Sequence, residues 1–281
     1  MANREDEHRA HGTRTGAAEM SRIHERVSAQ FGAAAVAYTT SAVHSDPAAL
    51  ERVVSLAQPR PADRALDVAT GAGHTALAVA PHVAEVVAYD MTAPMLAETA
   101  QNAAARGLAN VRTEQGIAES LPFADASFDI VTARQAPHHF ADIRAAIREM
   151  ARVAKPGARI VIVDSASPDD PELARAWNHI EKLRDPSHVR NYTPREWRAM
   201  LAEAGLRVTF EESDFATENG RAMDFAAWVR RMNAPPEAVD ELTRLFRAAS
   251  PALAAALRIE IAPDGALSFC VPMLTLAVTK P

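Results

Sequence analysis

The 281 residues, 48% hydrophobic and 23% charged, suffice for one large core or two small ones and exclude a fibrous or broadly disordered chain. Thirty Lys and Arg against thirty-six Asp and Glu leave a formal charge of -6, which argues against a protein built to grip nucleic-acid phosphates. The single cysteine, Cys270, forbids an internal disulfide and a cysteine-built metal site.

Residues 1–20 are densely charged and lack the apolar run of a signal peptide; with almost no large apolar side chains they read as a disordered, mobile tail. No window approaches the ~18 consecutive apolar residues of a membrane-spanning helix, so a soluble, cytoplasmic chain is the expectation. Residues 21–57 read as an N-terminal helical lid ahead of a main domain at 58–281. Arg64–Thr70 is a compact apolar strand, followed by a Gly-containing turn and a helix over Thr75–Pro81. Glu85–Asp90 is a second strand, Ala93–Arg106 a helix stopped by Gly107, and Asn110–Gln115 and Phe128–Ala133 are further strands. A helix over Ile143–Ala154 is punctuated by Lys155-Pro156-Gly157 before the strand Arg159–Asp164. Such alternation implies right-handed crossovers and an α/β fold, a mostly parallel sheet with helices on both faces.

Beyond Ser165 the pattern changes. Helices are predicted over Pro168–Arg184 and Pro194–Ala204, a strand at Arg207–Phe215, and helices over Met223–Met232 and Pro236–Ala249. Arg258–Ile261 and Ala266–Thr279 read as a closing hairpin on the Asp264-Gly265 turn. Substrate-side insertions are thus expected near 166–205 and 216–257.

The sharpest local signal is Asp67-Val-Ala-Thr-Gly71-Ala-Gly73-His74-Thr75. Its glycines fall between a buried strand and a helix, where the backbone must turn tightly and approach a ligand closely. Asp90 ends the next strand, about twenty residues on, where a carboxylate accepts hydrogen bonds from a ribose diol. A nucleoside-containing cofactor at the carboxyl ends of the strands follows from the two together. Gly71-Ala-Gly73-His-Thr-Ala76 satisfies the dinucleotide pattern through Ala76, which keeps an NAD(P)-dependent oxidoreductase open. Asp67, four residues before the first glycine, would repel phosphates and suit a sulfonium or ammonium. That charge favours S-adenosylmethionine.

With Met91-Thr-Ala-Pro-Met-Leu, Ala118-Glu-Ser-Leu-Pro-Phe-Ala-Asp-Ala-Ser-Phe-Asp129, His138-His139-Phe140 and Arg152-Val-Ala-Lys-Pro-Gly157, the chain resembles class I S-adenosylmethionine-dependent methyltransferases. Within them it is similar to the ubiquinone/menaquinone biosynthesis C-methyltransferase branch, from about Phe31 to the C-terminus. The resemblance implies a Rossmann-like, seven-stranded sheet whose last strand is antiparallel. It also implies that Asp67, Gly71 and Gly73 cradle the methionine end, that Asp90 holds the ribose and that Met91 packs on the adenine, with Arg134 among the cofactor contacts. One departure stands out. Many relatives carry Gly-Asp-Ala-Glu where this chain has Gly116-Ile117-Ala118-Glu119, and Ile117 cannot accept the hydrogen bond of the adenine amino group. The adenine is then expected to be held by packing at Ile117 and by the backbone N–H of Ala118.

Arg134-Gln-Ala-Pro-His138-His139-Phe140 follows a strand and so lies on the same sheet edge as the glycine loop. Methyl transfer from a sulfonium is an in-line displacement that needs positioning and, for some acceptors, a base. His138 is the candidate base, able to take a proton from a phenol, an enol or an amine, and His139 a candidate substrate contact. The plainer reading of the pair is structural. Neighbouring histidines rarely converge on one ion, and no metal site is expected. Arg190 and Tyr192, in the segment Asp185–Thr193, suit an anionic or carbonyl-bearing acceptor, against the plainer alternative of loop support. Tyr38 and His44 lie in the lid that in relatives covers the cofactor. Arg230 and Arg231, near Trp228, read as a solvated helix face, and Cys270 as a buried small hydrophobe in the closing strand.

The expected function is methylation of a small-molecule acceptor, on oxygen, nitrogen or carbon, with no nucleic-acid partner. A non-catalytic binding protein of the same fold is the alternative. The acceptor and the oligomeric state, a homodimer included, do not follow from the sequence.

Overall fold

A computed structural model describes residues 3–39, 41, 43–214 and 222–281. Helices α1 (Asn3–Thr39) and α2 (Pro47–Ala57) come first, the second capped by the Asp46 carboxylate on the Ala48 N–H. Then β1 (Arg64–Val68), α3 (His74–Val79), β2 (Glu85–Asp90), α4 (Ala93–Ala105) and β3 (Val111–Gln115) build one half of the sheet. The other half starts with β4 (Phe128–Arg134), α5 (Ile143–Val153) and β5 (Ala154–Ser165). Helices α6 (Pro171–Arg184) and α7 (Pro194–Glu203) lead to β6 (Arg207–Asp214). The remainder is β7 (Met223–Asp224), α8 (Phe225–Arg231), α9 (Pro236–Arg247), α10 (Pro251–Leu257), β8 (Glu260–Ile261), β9 (Leu267–Phe269) and β10 (Met273–Thr279).

Seven strands form the main sheet in the order β3-β2-β1-β4-β5-β10-β6, and β10 is antiparallel to both its neighbours. This is the α/β fold that the alternation predicts, with the seven-stranded sheet that the resemblance implies. The order reverses between β1 and β4, which opens a crevice at the carboxyl ends of the strands. Alternation along the strands sends side chains into two layers. On one face Leu66, Val68, Val131 and Ile160 pack with Ile147 and Met150 of α5 and Trp197 and Leu201 of α7. On the other Ala65, Val86, Ile130 and Val161 pack with Val53 of α2 and Val79 of α3. Each such full burial of a large aliphatic side chain contributes roughly 1.5–3 kcal/mol.

A third core lies over the sheet edge. Trp177 of α6, Trp228 of α8, Phe246 of α9 and Phe269 of β9 share it, with the two indoles stacked at 6.3 Å. It carries its own small sheet, β7-β9-β8. No helix among the described residues is long and apolar enough to cross a membrane.

The structure departs from the sequence reading at several places. Lys155-Pro156-Gly157 lies inside β5, and Met223–Asp224 is a strand before α8. Helix α1 begins at Asn3 and runs through the expected tail; residues 16–19 of it are exposed and packing begins beyond them, so a packed C-terminal half carries a charged extension. Helix α7, expected in an insertion, covers the main sheet because Trp197, Met200 and Leu201 form a continuous apolar face. The start of the second expected insertion, up to residue 221, lies outside the described residues, as does Phe215 at the end of the predicted strand. The closing hairpin is three strands in two sheets: β8 and β9 turn on Asp264-Gly265 in the small sheet, and the chain then breaks before Met273 and enters the main sheet as β10. Pro272, without an N–H, cannot continue a ladder. Cys270, buried, sits in that break rather than in a strand.

Candidate functional site

The loop after β1 is braced from behind. Asp67 is 2% exposed, and its Oδ2 accepts hydrogen bonds from Thr70 Oγ1 (2.6 Å) and the Ala76 N–H (3.1 Å), while Oδ1 accepts from Thr132 Oγ1 (2.6 Å). Burial pushes its carboxyl pKa up against these bonds. Gly73, with φ +87°, is pressed so close to α4 that a Cβ there would lie 2.8 Å from Thr99 Cγ2. Thr99 in turn donates to the Gly71 carbonyl (2.8 Å).

Asp90, at the end of β2, ties this loop to the next turn: Oδ2 accepts the Gly71 N–H (2.9 Å) and Oδ1 the Thr92 N–H (2.8 Å). Burial raises its pKa as well. Its carboxylate faces a cleft whose empty space, open mouth included, is about 900 Å³. Gly71, Met91, Ile117, Ala118 and Arg134 line the cleft, and the lid contributes His24, Phe31, Tyr38 and His44. Arg134 joins lid to sheet by donating to Thr75 Oγ1 (3.1 Å) and to the His44 carbonyl. Glu119 accepts the Ala141 N–H (2.8 Å) and sits 3.4 Å from His24 Nε2.

A second cavity, about 620 Å³, adjoins the first and shares Tyr38, His44, Gln135 and His139 with it. One wall is apolar, with Met223, Trp228, Met232 and Met273; the other carries His138, Glu181, Arg184 and Asp185. His138 Nδ1 lies 2.6 Å from Asp164 Oδ1. Burial works against a charged His138 ring, but Asp164, with Glu181 and Asp185 beyond it, outweighs burial and raises the pKa. His139 goes the other way: burial, then the charge of His138, push it down to about 3. Glu181 pairs with Arg184 at 3.0 Å, and the Arg184 guanidinium stacks 4.5 Å from the Trp228 ring centroid. Burial raises the Glu181 pKa and takes Tyr38 to about 12.

Most of the residues singled out from sequence converge here, and four do not. Asp67 and Gly73 lie behind the first cleft and shape its loop without lining it; the Asp67 carboxylate is spent on hydroxyl and amide donors. Arg190 and Tyr192 lie in a separate groove against α1, where Arg190 pairs with Glu196 (2.5 Å) and stacks on Tyr192 (5.1 Å). The Thr193–Glu196 capping box fixes that segment as the start of α7 and turns it away from the cavities. Arg231, expected on a solvated face, lines the second cavity. Among the described residues no cluster of three or more His, Cys, Asp or Glu is placed to hold a metal ion.

Sequence reasoning missed Asp164, Glu181, Arg184 and Asp185. Asp164 carried a signal, an acidic residue near the end of a strand like Asp90; the others follow only from how α6 docks.

The family described as Methyltransferase domain matches residues 66–162. The chain is 37% identical over 251 residues to the Bacillus subtilis (strain 168) protein named Uncharacterized methyltransferase YcgJ, covering 89% of this chain and 97% of that one. The crystal structure of YcgJ matches with a TM-score of 0.77 at 36% identity, over 83% of this chain and 98% of that chain. The demethylmenaquinone methyltransferase of Thermus thermophilus is 42% identical over 180 residues, 57% of this chain and 81% of its own.

Proposed function

The chain belongs to the class I methyltransferases, and on that premise we propose that it methylates a small organic acceptor with S-adenosylmethionine. The observation that carries the reading is the meeting of two unlike cavities at Tyr38, His44, Gln135 and His139.

The first cavity fits the cofactor. Asp90, held by the Gly71 and Thr92 N–H groups, lines the cleft, where its carboxylate would accept a ribose hydroxyl. Met91 and Ile117 would flank the adenine, with the Ala118 N–H as donor, and Arg134 would pair with the methionyl carboxylate. Nothing lies within 4 Å of where a Gly71 Cβ would project, so the loop backbone is open to a ligand there. When bound, S-adenosylmethionine supplies a methyl group activated by its sulfonium. The second cavity would hold the acceptor between the methionine wall and the charged wall, with His138 as the group that takes a proton.

Thermal unfolding of ligand-free protein with S-adenosylmethionine, S-adenosylhomocysteine, NAD or NADP tests this. A ligand at about 100 times its Kd adds ~2.7 kcal/mol, a rise of about 5 °C or more at this size. A rise with the first two alone is expected. A rise with a nicotinamide nucleotide, or with none of the four, refutes the reading.

A further inference from the structure

The turn after β4 and the end of β5 are neighbours because the two strands pair in parallel, with Arg134 beside Val163. That register sets His138 against Asp164, Nδ1 to Oδ1 at 2.6 Å. The backbone is pinned too: the His138 carbonyl accepts the N–H groups of Val189 (2.9 Å) and Arg190 (3.1 Å). Asp164 is 1% exposed, and its Oδ2 has no hydrogen-bond partner among the described residues. A buried carboxylate so placed is stabilised chiefly by a hydrogen on the nitrogen facing it. Ser165 Oγ, 3.4 Å from the same nitrogen, donates to Asn191 Oδ1 at 2.5 Å and does not compete. Nδ1 therefore bears the hydrogen, and the Nε2 lone pair is the one left over. The His138 side chain keeps 14% of its surface and lines the second cavity.

Building on the methyltransferase reading above, we propose that Asp164 is the positioning residue that holds His138 as a base, and that the second cavity takes an acceptor whose nucleophilic atom carries a hydrogen, an O–H or an N–H. The hydrogen leaves as a proton to Nε2 and its bonding pair stays on the acceptor atom. That atom bonds the methyl carbon, and the carbon–sulfur pair returns to sulfur as a neutral thioether. The resulting imidazolium is matched by Asp164.

The charges around the ring set its titration. Asp164 from β5 and Glu181 and Asp185 from the end of α6 favour the imidazolium. His139 from the same turn, His188 from the loop after α6 and His44 from the lid oppose a second charge, and Arg184 and Arg231 complete the cavity wall. The carboxylates prevail, so the ring titrates above an ordinary histidine.

The test is an NMR titration of the ligand-free full chain, with His138 assigned from His138→Gln. The expected neutral tautomer is Nδ1–H, with a midpoint above about 6.5. Asp164→Asn should lower that midpoint by a unit or more, and Asp164→Glu should restore part of it. An Nε2–H tautomer in the wild type overturns the proposal. So does a midpoint that Asp164→Asn leaves in place, and if that variant fails to fold, the wild-type tautomer and midpoint decide alone. In methylation assays, N,N-dimethylaniline and thioanisole, which offer no hydrogen on the nucleophile, should not be turned over. Turnover of either that His138→Gln leaves undiminished overturns the acceptor class. The titration needs no cofactor, so its failure leaves the cofactor reading standing, and the reverse holds for the thermal shift.

Discussion

Replacing Gly73 by alanine probes the joint between loop and sheet. The residue sits at φ +87°, where an L side chain costs roughly 1–2 kcal/mol. The added Cβ would meet Thr99 Cγ2 at 2.8 Å and Oγ1 at 2.9 Å, and overpacking of this kind costs typically 1–3 kcal/mol. The sum is about 2–5 kcal/mol. Thr99 relieves the clash only by leaving the Gly71 carbonyl it holds at 2.8 Å, so the loop that lines the cleft shifts with it. Urea unfolding of wild type, Gly73→Ala, Thr99→Ala and the double variant separates the two costs. Removing Thr99 in the Gly73→Ala background should recover the packing part, a coupling of about 1–3 kcal/mol, and leave the backbone part. Gly73→Ala within 0.5 kcal/mol of wild type, or no coupling to Thr99, would refute this reasoning; 0.5 kcal/mol is roughly what an unstrained surface change costs.

Ile117→Asp returns a carboxylate acceptor to the adenine end of the cleft and should tighten S-adenosylmethionine about tenfold by calorimetry, roughly 1.4 kcal/mol; unchanged or weaker binding refutes that placement. Arg190→Ala should leave methyl transfer unchanged and cost at most about 1 kcal/mol, because its pair with Glu196 is half exposed; a tenfold loss of kcat/KM would return it to the site. His139 has a folded pKa of about 3 against an ordinary 6.5, so below pH 6.5 the unfolded chain gains a proton that the fold refuses, and this contribution to stability is lost as pH falls. The stability difference between wild type and His139→Gln should therefore move against the wild type by about 2 kcal/mol from pH 7 to pH 5; a constant difference in denaturant melts at the two pH values excludes a neutral buried ring.

The alternation of strand and helix from residue 64 to 165 was legible because each element announces itself locally: apolar strands, Ala-rich helices, and glycines where φ must turn positive. Asp90 was legible for the same reason, since the end of a strand is a local property and the crevice beyond it is shared by open α/β sheets. Asp67 was found, but its place behind the loop was not legible. Sequence shows a charge beside a glycine loop; only packing shows that Thr70, Thr132 and the Ala76 N–H consume it.

By itself, then, the sequence determined the α/β alternation from residue 64 to 165 and the place of the glycine loop after the first strand of the sheet. The tertiary structure decided which distant side chains meet. His138 and Asp164, 26 residues apart, are brought together by the β4–β5 register. Arg190, whose N–H reaches the His138 carbonyl, pairs with Glu196 at the start of α7, and Tyr192 packs against the main core. The division has one physical cause. Element formation depends on neighbours within a few residues, whereas convergence of charged groups depends on how whole helices dock, and no local pattern records that.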